Sequence, residues 1–171
     1  KVMSYRFFGR VRNNEVVLLE KNNRLGKKLL ISGKGRCNIT NACDINELIE
    51  NTPGNGNFLY SSFYRFSNYD LIDFFNRLGL ATKIERGGRV FPESDASIDV
   101  LNALIKYNKD NGVKIYNNAK VKNINVSENK VTGVALCDGR VFQCDSVILA
   151  TGGISYPGTG STGDGHVIAE N

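Results

Sequence analysis

The chain has 171 residues, of which 41% are hydrophobic and 23% charged, with a formal net charge of +5. That length suits one domain with its own core, and the composition is globular rather than disordered. No apolar run approaches the ~20 residues of a membrane helix, and the basic residues are scattered, not gathered into a nucleic-acid stripe. The expectation is a cytoplasmic protein with a small-molecule substrate and neither nucleic acid nor membrane as partner.

The opening KVMSYRFFGRVRNN is basic, but no cleavage-site pattern follows it. Residues 15–20, EVVLLE, read as a fully buried strand of a parallel sheet that ends in a carboxylate. The Gly-, Lys- and Asn-rich text from 22 to 41 reads as loop and short helical turns. Asp44 is a good N-cap for a helix, with Glu47 at the capping-box position. Pro53-Gly54-Asn55-Gly56 breaks the chain, and a helix is expected over 57–66. The aromatics of that stretch, from Phe58 to Phe66, are read as its buried face rather than as base-stacking platforms. Another helix starts after Ser67, carries Leu71, Ile72, Phe74, Phe75 and Leu78 inward, and stops at Gly79.

Thr82–Glu85 and Arg89-Val90-Phe91 flank Gly87-Gly88, a hairpin signal. Ile98, Leu101, Leu104, Ile105 and Asn108 then trace helical spacing up to Gly112. Strands are expected over 113–116, 120–126, 130–137 and 140–144, with Asp138-Gly139 a strong turn. Residues 146–150, SVILA, form a second buried strand that runs into Thr151-Gly152-Gly153. A glycine-rich loop over 155–165 leads into a final helix.

Cys37, Cys43, Cys137 and Cys144 form no CxxC and share only His166, so no metal site is expected and the thiols are read as reduced. Cys137 and Cys144 are read as small core residues. Cys37, beside Arg36, has two readings: a thiolate whose pKa the arginine lowers, or a packed side chain, and the second is favoured. His166 is assigned to packing at a helix start, where the dipole disfavours a cation. Asp164 is read as a cap or loop acceptor. No catalytic acid, base or nucleophile is identifiable.

Three segments carry chemistry. Glu20, at a strand's carboxyl end, is placed to accept hydrogen bonds from a ribose diol, because a carboxylate offers only acceptors. In Ser32-Gly33-Lys34-Gly35-Arg36-Cys37-Asn38 the glycines allow close backbone approach, and Lys34 and Arg36 add charge for a phosphate or an electron-rich ring. Residues 147–153, VILATGG, with the following SYPGTGSTGDGH, let the chain turn tightly past a nucleotide and offer backbone donors at a helix start. Each alone also fits an ordinary α/β turn.

In this order, LLEKNNRLGKKLLISGKGRCNITN, ERGGRVFPESDAS and VILATGGISYPGTGSTGDGHVIAE resemble the BaiN/YhiN-like flavoproteins, FAD-dependent members of the two-dinucleotide-binding-domain superfamily. The resemblance spans nearly everything from Asn14 onward. It implies an α/β fold: an incomplete FAD/NAD(P)-binding Rossmann-like domain with helical and β-hairpin insertions. It implies that Glu20 holds the adenosine ribose, with Lys21 beside it. Gly26, Lys27, Ser32, Gly33, Gly35, Arg36, Cys37 and Asn38 would line the ribityl and isoalloxazine side. Val121 would contact adenine through its backbone; Thr151, Gly152 and Gly153 would pass close to the dinucleotide; Gly163 and Asp164 would begin the next helix. NAD(P)H is an implied electron donor.

The family's first strand and GxGxxG turn, and its later inserted and C-terminal segments, have no counterpart in this text. The chain is therefore expected to be a partial FAD-binding domain that binds FAD weakly or not at all and has no activity of its own. Two alternatives stand beside the flavin reading: an NAD- or S-adenosylmethionine-binding enzyme, and a non-catalytic fragment. Substrate and oligomeric state are not specified by the sequence.

Overall fold

The computed structural model describes residues 15–170, so the expected loss of a first strand and phosphate turn lies outside the described residues. The chain divides into two units, one formed by residues up to Lys28 with those from Asn108 onward, the other by Leu29–Tyr107.

In the first unit β1 (Val17–Leu19) pairs in parallel with β5 (Lys114–Tyr116), Leu18 facing Ile115. The pairing continues past the strand, Glu20 N–H donating to Tyr116 O at 2.9 Å and Ala119 N–H to Glu20 O at 2.9 Å. These bonds fix the backbone on both sides of the Glu20 side chain. The β1 side chains are half-buried, not fully buried as expected, since β5 is its one paired neighbour among the described residues.

An antiparallel meander follows: β6 (Val121–Ser127), β7 (Lys130–Leu136) and β8 (Val141–Gln143). Its first turn places Glu128 and Asn129 at φ 48° and 60° between paired Ser127 and Lys130, the mirror-image turn that matches strand twist. Asp138-Gly139 makes the second turn as expected, Gly139 sitting at φ 90°. Ala119, Val134 and Leu136 form the core here, with Leu19, Tyr116, Val121, Phe142, Cys144 and Val147 packed on it.

Two further expectations fail here. Residues 146–150 form no strand, and Ile148 and Leu149 are 63% and 42% exposed, because no neighbouring strand among the described residues pairs with them. Cys137 is exposed rather than core, as it lies just past the end of β7 at the turn.

The second unit holds β2 (Thr40–Asn41), β3 (Thr82–Glu85) and β4 (Arg89–Pro92) in the order β2-β4-β3, all antiparallel. The expected hairpin is β3 and β4, with Glu85 paired to Arg89 and both Gly87 and Gly88 at positive φ. Val90, Phe91 and Pro92 are buried on the central strand. Around the sheet run α1 (Lys27–Ile31), which crosses the unit boundary, α2 (Ile45–Glu50), α3 (Tyr60–Arg65), α4 (Asn68–Arg77) and α5 (Ser97–Asp110).

Local chemistry sets the helix starts. Asp44 caps α2 by accepting from Asn46 N–H. Ser67 and Asp70 form a full capping box on α4, whose Phe74 and Phe75 are buried. Asn68 ties this helix to the sheet, its Nδ2 donating to Asn41 O and Cys43 O at 2.6 and 2.8 Å. Tyr107 of α5 meets Phe74 edge to face at 5.1 Å.

The aromatic run from Phe58 does not form a buried face. Phe58, Tyr60 and Tyr64 are 81%, 48% and 56% exposed, while Leu59, Phe63 and Phe66 are half-buried. Adjacent residues on a helix point in different directions, so aromatics as closely spaced as Phe63, Tyr64 and Phe66 cannot all turn inward. Leu59, Phe63 and Phe66 follow the i, i+4, i+7 spacing of the inner stripe.

Candidate functional site

The candidate residues fall on both units. In the first, Glu20 follows β1, and its Oε1 accepts from Asn22 N–H at 2.8 Å and Asn22 Nδ2 at 2.7 Å. Both bonds end on one oxygen; Oε2 has no hydrogen-bond partner among the described residues. Lys21 Nζ donates to Asp164 Oδ2 at 2.6 Å and to Thr162 Oγ1 at 2.5 Å, and Thr162 Oγ1 bonds Asp164 Oδ1 at 2.9 Å. The lysine holds the Asp164 carboxyl below its ordinary range, with the Thr162 hydroxyl assisting. Asp164 is thus an acceptor at the start of α6 (Asp164–Glu170).

The same segment secures the glycine-rich loop from several sides. Lys28 Nζ donates to Ser155 O at 3.1 Å and Ser161 Oγ at 3.3 Å, and Asn22 Nδ2 to Thr159 O at 3.3 Å. Gly160 has φ 99°, and a Cβ there would lie 2.6 Å from Asn22 Nδ2, so only glycine lets the loop come so close. At Gly165 a Cβ would run into Thr151 Oγ1. The loop therefore rests directly on the residues that follow β1.

Thr151, Gly152 and Gly153 are exposed, leaving this stretch of backbone open to a ligand, and Gly163 is buried. Gly26 at φ 70° precedes Lys27, the first residue of α1. Val121 opens β6 opposite Leu136 and lines the core. Tyr156 holds φ 56° and is 69% exposed, the next carbonyl after the one that Lys28 grips. His166 is exposed on α6 rather than packed, because the helix turns Ile168 inward instead.

The second unit carries Ser32, Gly33, Gly35, Arg36, Cys37 and Asn38. Ser32–Gly35 is a 3-10 turn with Gly33 and Lys34 left-handed at φ 56° and 57°. It closes through Cys37 N–H to Ser32 O at 3.0 Å, and Ile39 N–H anchors the exit on Val90 O at 2.8 Å. A Cβ on Gly33 would lie 2.8 Å from Asn38 N, which accounts for a glycine there. Asn38 is exposed, and its Nδ2 is oriented to donate to Thr40 O and Val90 O.

Arg36 departs from the expectation of free charge. Its Nε donates to Asp95 Oδ1 at 2.7 Å, its Nη1 to Glu85 Oε2 at 3.3 Å, and its Nη2 reaches both carboxylates. The guanidinium lies 4.1 Å over the Phe91 ring. Nor does it activate Cys37. That thiol is 6% exposed and burial pushes its pKa up, partly offset by a hydrogen bond with Ser32. Cys37 is a packed residue.

Reasoning from residue types missed Asn22, Lys28, Ser161 and Thr162, and gave no role to Glu85 and Asp95, although both lie in a quoted motif. The alternation of glycine with Ser and Thr in GTGSTGDG was the available signal for Ser161 and Thr162. Among the described residues no helix is long and apolar enough to cross a membrane, and no cluster of metal-binding side chains occurs.

Comparison with known proteins adds the following. Residues 8–171 match the family model of the HI0933-like protein Rossmann domain. A 3-dehydro-bile acid delta(4,6)-reductase from Clostridium scindens is 36% identical over 158 residues, 92% of this chain and 37% of that protein. Ribosomal RNA dihydrouridine synthases from Escherichia coli and Haemophilus influenzae are 32% and 31% identical, each over 91% of this chain and 38% of their own length. The chain thus spans less than two fifths of these relatives.

Proposed function

Because the chain belongs to the HI0933-like Rossmann-domain family, we propose that it is the FAD-binding portion of an oxidoreductase that moves hydride or electrons between an organic substrate or NAD(P)H and the flavin. The observation that carries this reading is the end of β1. There Glu20 is anchored through one carboxylate oxygen, and the glycine-rich loop is fastened to the three residues Asn22, Lys21 and Lys28.

The residues present fit the group. Glu20 Oε2 would accept from the adenosine ribose hydroxyls, and the exposed backbone of Thr151, Gly152 and Gly153 would lie against the dinucleotide. In the other unit, the turn from Ser32 to Asn38 would offer glycine backbone to the ribityl and ring side. When bound, FAD supplies the redox step itself. The chain's contribution is to bind and orient it, and Cys37, 6% exposed, is read as a packed side chain rather than a redox partner.

For the substrate we infer a small organic molecule. RNA is the second reading, favoured by the names of two of the relatives. The cytoplasm is the inferred compartment, supported by four cysteines that stand as free thiols.

FAD titration followed by flavin fluorescence and absorbance tests the main reading. Saturable binding is expected, weakened about tenfold by Glu20→Ala, the scale of a lost charge-assisted hydrogen bond. A melting temperature raised by NAD or S-adenosylmethionine but not by FAD would overturn it. Saturable binding of an rRNA fragment by the chain, with no small organic molecule perturbing the spectrum of bound FAD, would replace the small-molecule reading by the RNA one.

A further inference from the structure

The SGKGRCN turn carries more backbone strain than its glycines explain. Lys34 and Cys37 hold φ 57° and 61°, and Asp95, across from them, holds φ 56°. Residues with a Cβ stay in that region only where their surroundings over-determine them. The surroundings here are one ion-pair network. Arg36 spends all three guanidinium nitrogens on Glu85 of β3 and on Asp95 beyond β4. Lys83 Nζ holds the other Asp95 oxygen at 2.7 Å, and Phe91 forms the floor beneath the guanidinium.

The geometry points to Glu85 and Asp95 as positioning residues: through Arg36 they fix the flavin turn, and Arg36 is a clamp within the protein, not a ligand for a phosphate. This rests on the FAD reading for its functional consequence. Three features carry it. A phosphate approaching the guanidinium would meet two carboxylates already seated on it, and the like charges would repel it. The forked donor set matches two carboxylates at once, which an ammonium cannot do. And the residue next to Arg36 in the turn is Cys37, 6% exposed, so a turn released from Arg36 would uncover its thiol.

That last feature supplies a test that needs no flavin. Alkylation of Cys37 is mapped by peptide mass spectrometry in the folded chain, with half-buried Cys144 as internal control. In Glu85→Gln/Asp95→Asn, Cys37 is expected to react about tenfold faster with Cys144 unchanged, and Arg36→Lys to do the same. FAD affinity should fall by a similar factor, and the visible band of bound FAD should shift, which a merely structural loss elsewhere would not produce. Unchanged Cys37 protection with unchanged FAD affinity overturns the proposal. If the double variant also exposes Cys144, the single Asp95→Asn decides: selective Cys37 exposure upholds the clamp, and none overturns it. A wild-type chain that binds too little FAD to titrate leaves the clamp to be decided by the thiol rates alone.

Discussion

Lys21 Nζ stands 2.6 Å from Asp164 Oδ2, joining the residue after Glu20 to the first turn of α6. Both side chains are about three-quarters buried, at 23% and 24% exposed, so solvent screens the pair less than a surface one. Asp164→Asn should destabilise the chain by ~1–2 kcal/mol near neutral pH, read from urea midpoints. The folded carboxyl pKa is lowered, chiefly by the Lys21 hydrogen bond. Its contribution is therefore complete above the unfolded value of ~4 and fades as pH falls through the folded one. The gap between wild type and variant should hold down to about pH 4 and shrink as the pH falls further, through the lowered folded value; a gap that stays constant well into acid, past that value, would refute the pairing.

Gly160 offers a sharper contrast. Its φ of 99° and the 2.6 Å approach to Asn22 Nδ2 leave no room for a methyl group. Gly158, two residues earlier, has nothing within 4 Å of an added Cβ. Gly160→Ala is expected to cost ~2–3 kcal/mol and Gly158→Ala no more than ~0.5 kcal/mol. Equal melting temperatures for the two variants would mean that the loop does not rest on Asn22.

What the sequence discloses divides along the range of the interaction. Ser67 announces α4 because an N-cap closes within one helical turn, and Gly139 announces its turn for the same reason. The strand Thr40–Asn41 was invisible, since two residues become a strand only by meeting Arg89 and Val90 far along the chain. Ile148 and Leu149 have strand composition, yet composition cannot supply the neighbouring strand that would bury them. The aromatics from Phe58 to Phe66 failed differently, because rings so densely spaced cover several sides of a helix, and residue type alone does not say which of them faces in. At the site, Glu20 and the Gly-rich segments stood out by residue type. The partners of Arg36 did not, because an ion pair formed across 49 or 59 residues leaves no local pattern.

The capping box on α4 can be tested directly. Ser67 Oγ and Asp70 Oδ2 lie 2.7 Å apart, the serine oxygen takes Asp70 N–H, and the Asp70 carboxylate takes Ser67 N–H at 2.8 Å. Ser67→Ala should cost ~1 kcal/mol, the usual cost of a lost N-cap, and show as a lower urea midpoint. The Asp70 pKa is lowered mainly by that Ser67 backbone bond. The sign matches that of Asp164: stability from this box is present above the ordinary aspartate range and lost in acid. A Ser67→Ala variant as stable as wild type at pH 7 would show that buried Phe74 and Phe75 alone hold the helix.

Gly87 and Gly88 share positive φ, at 78° and 71°, but not surroundings. A Cβ on Gly87 meets nothing within 4 Å, while on Gly88 it would run into Asn41 Oδ1. Asn41 cannot easily move aside: its Nδ2 donates to Gly87 O at 2.8 Å, and Ala42 N–H holds Gly88 O at 2.7 Å. Both alanine variants should lose ~1 kcal/mol from the left-handed backbone, with Gly88→Ala losing at least ~1 kcal/mol more. Hydrogen exchange locates the difference. In Gly88→Ala the Ala42 amide should exchange faster, because β2 must draw back from the hairpin, whereas in Gly87→Ala it should keep its wild-type rate. If both variants free the Ala42 amide equally, the β3 and β4 turn tightens on its own account, and β2 does not require a glycine there.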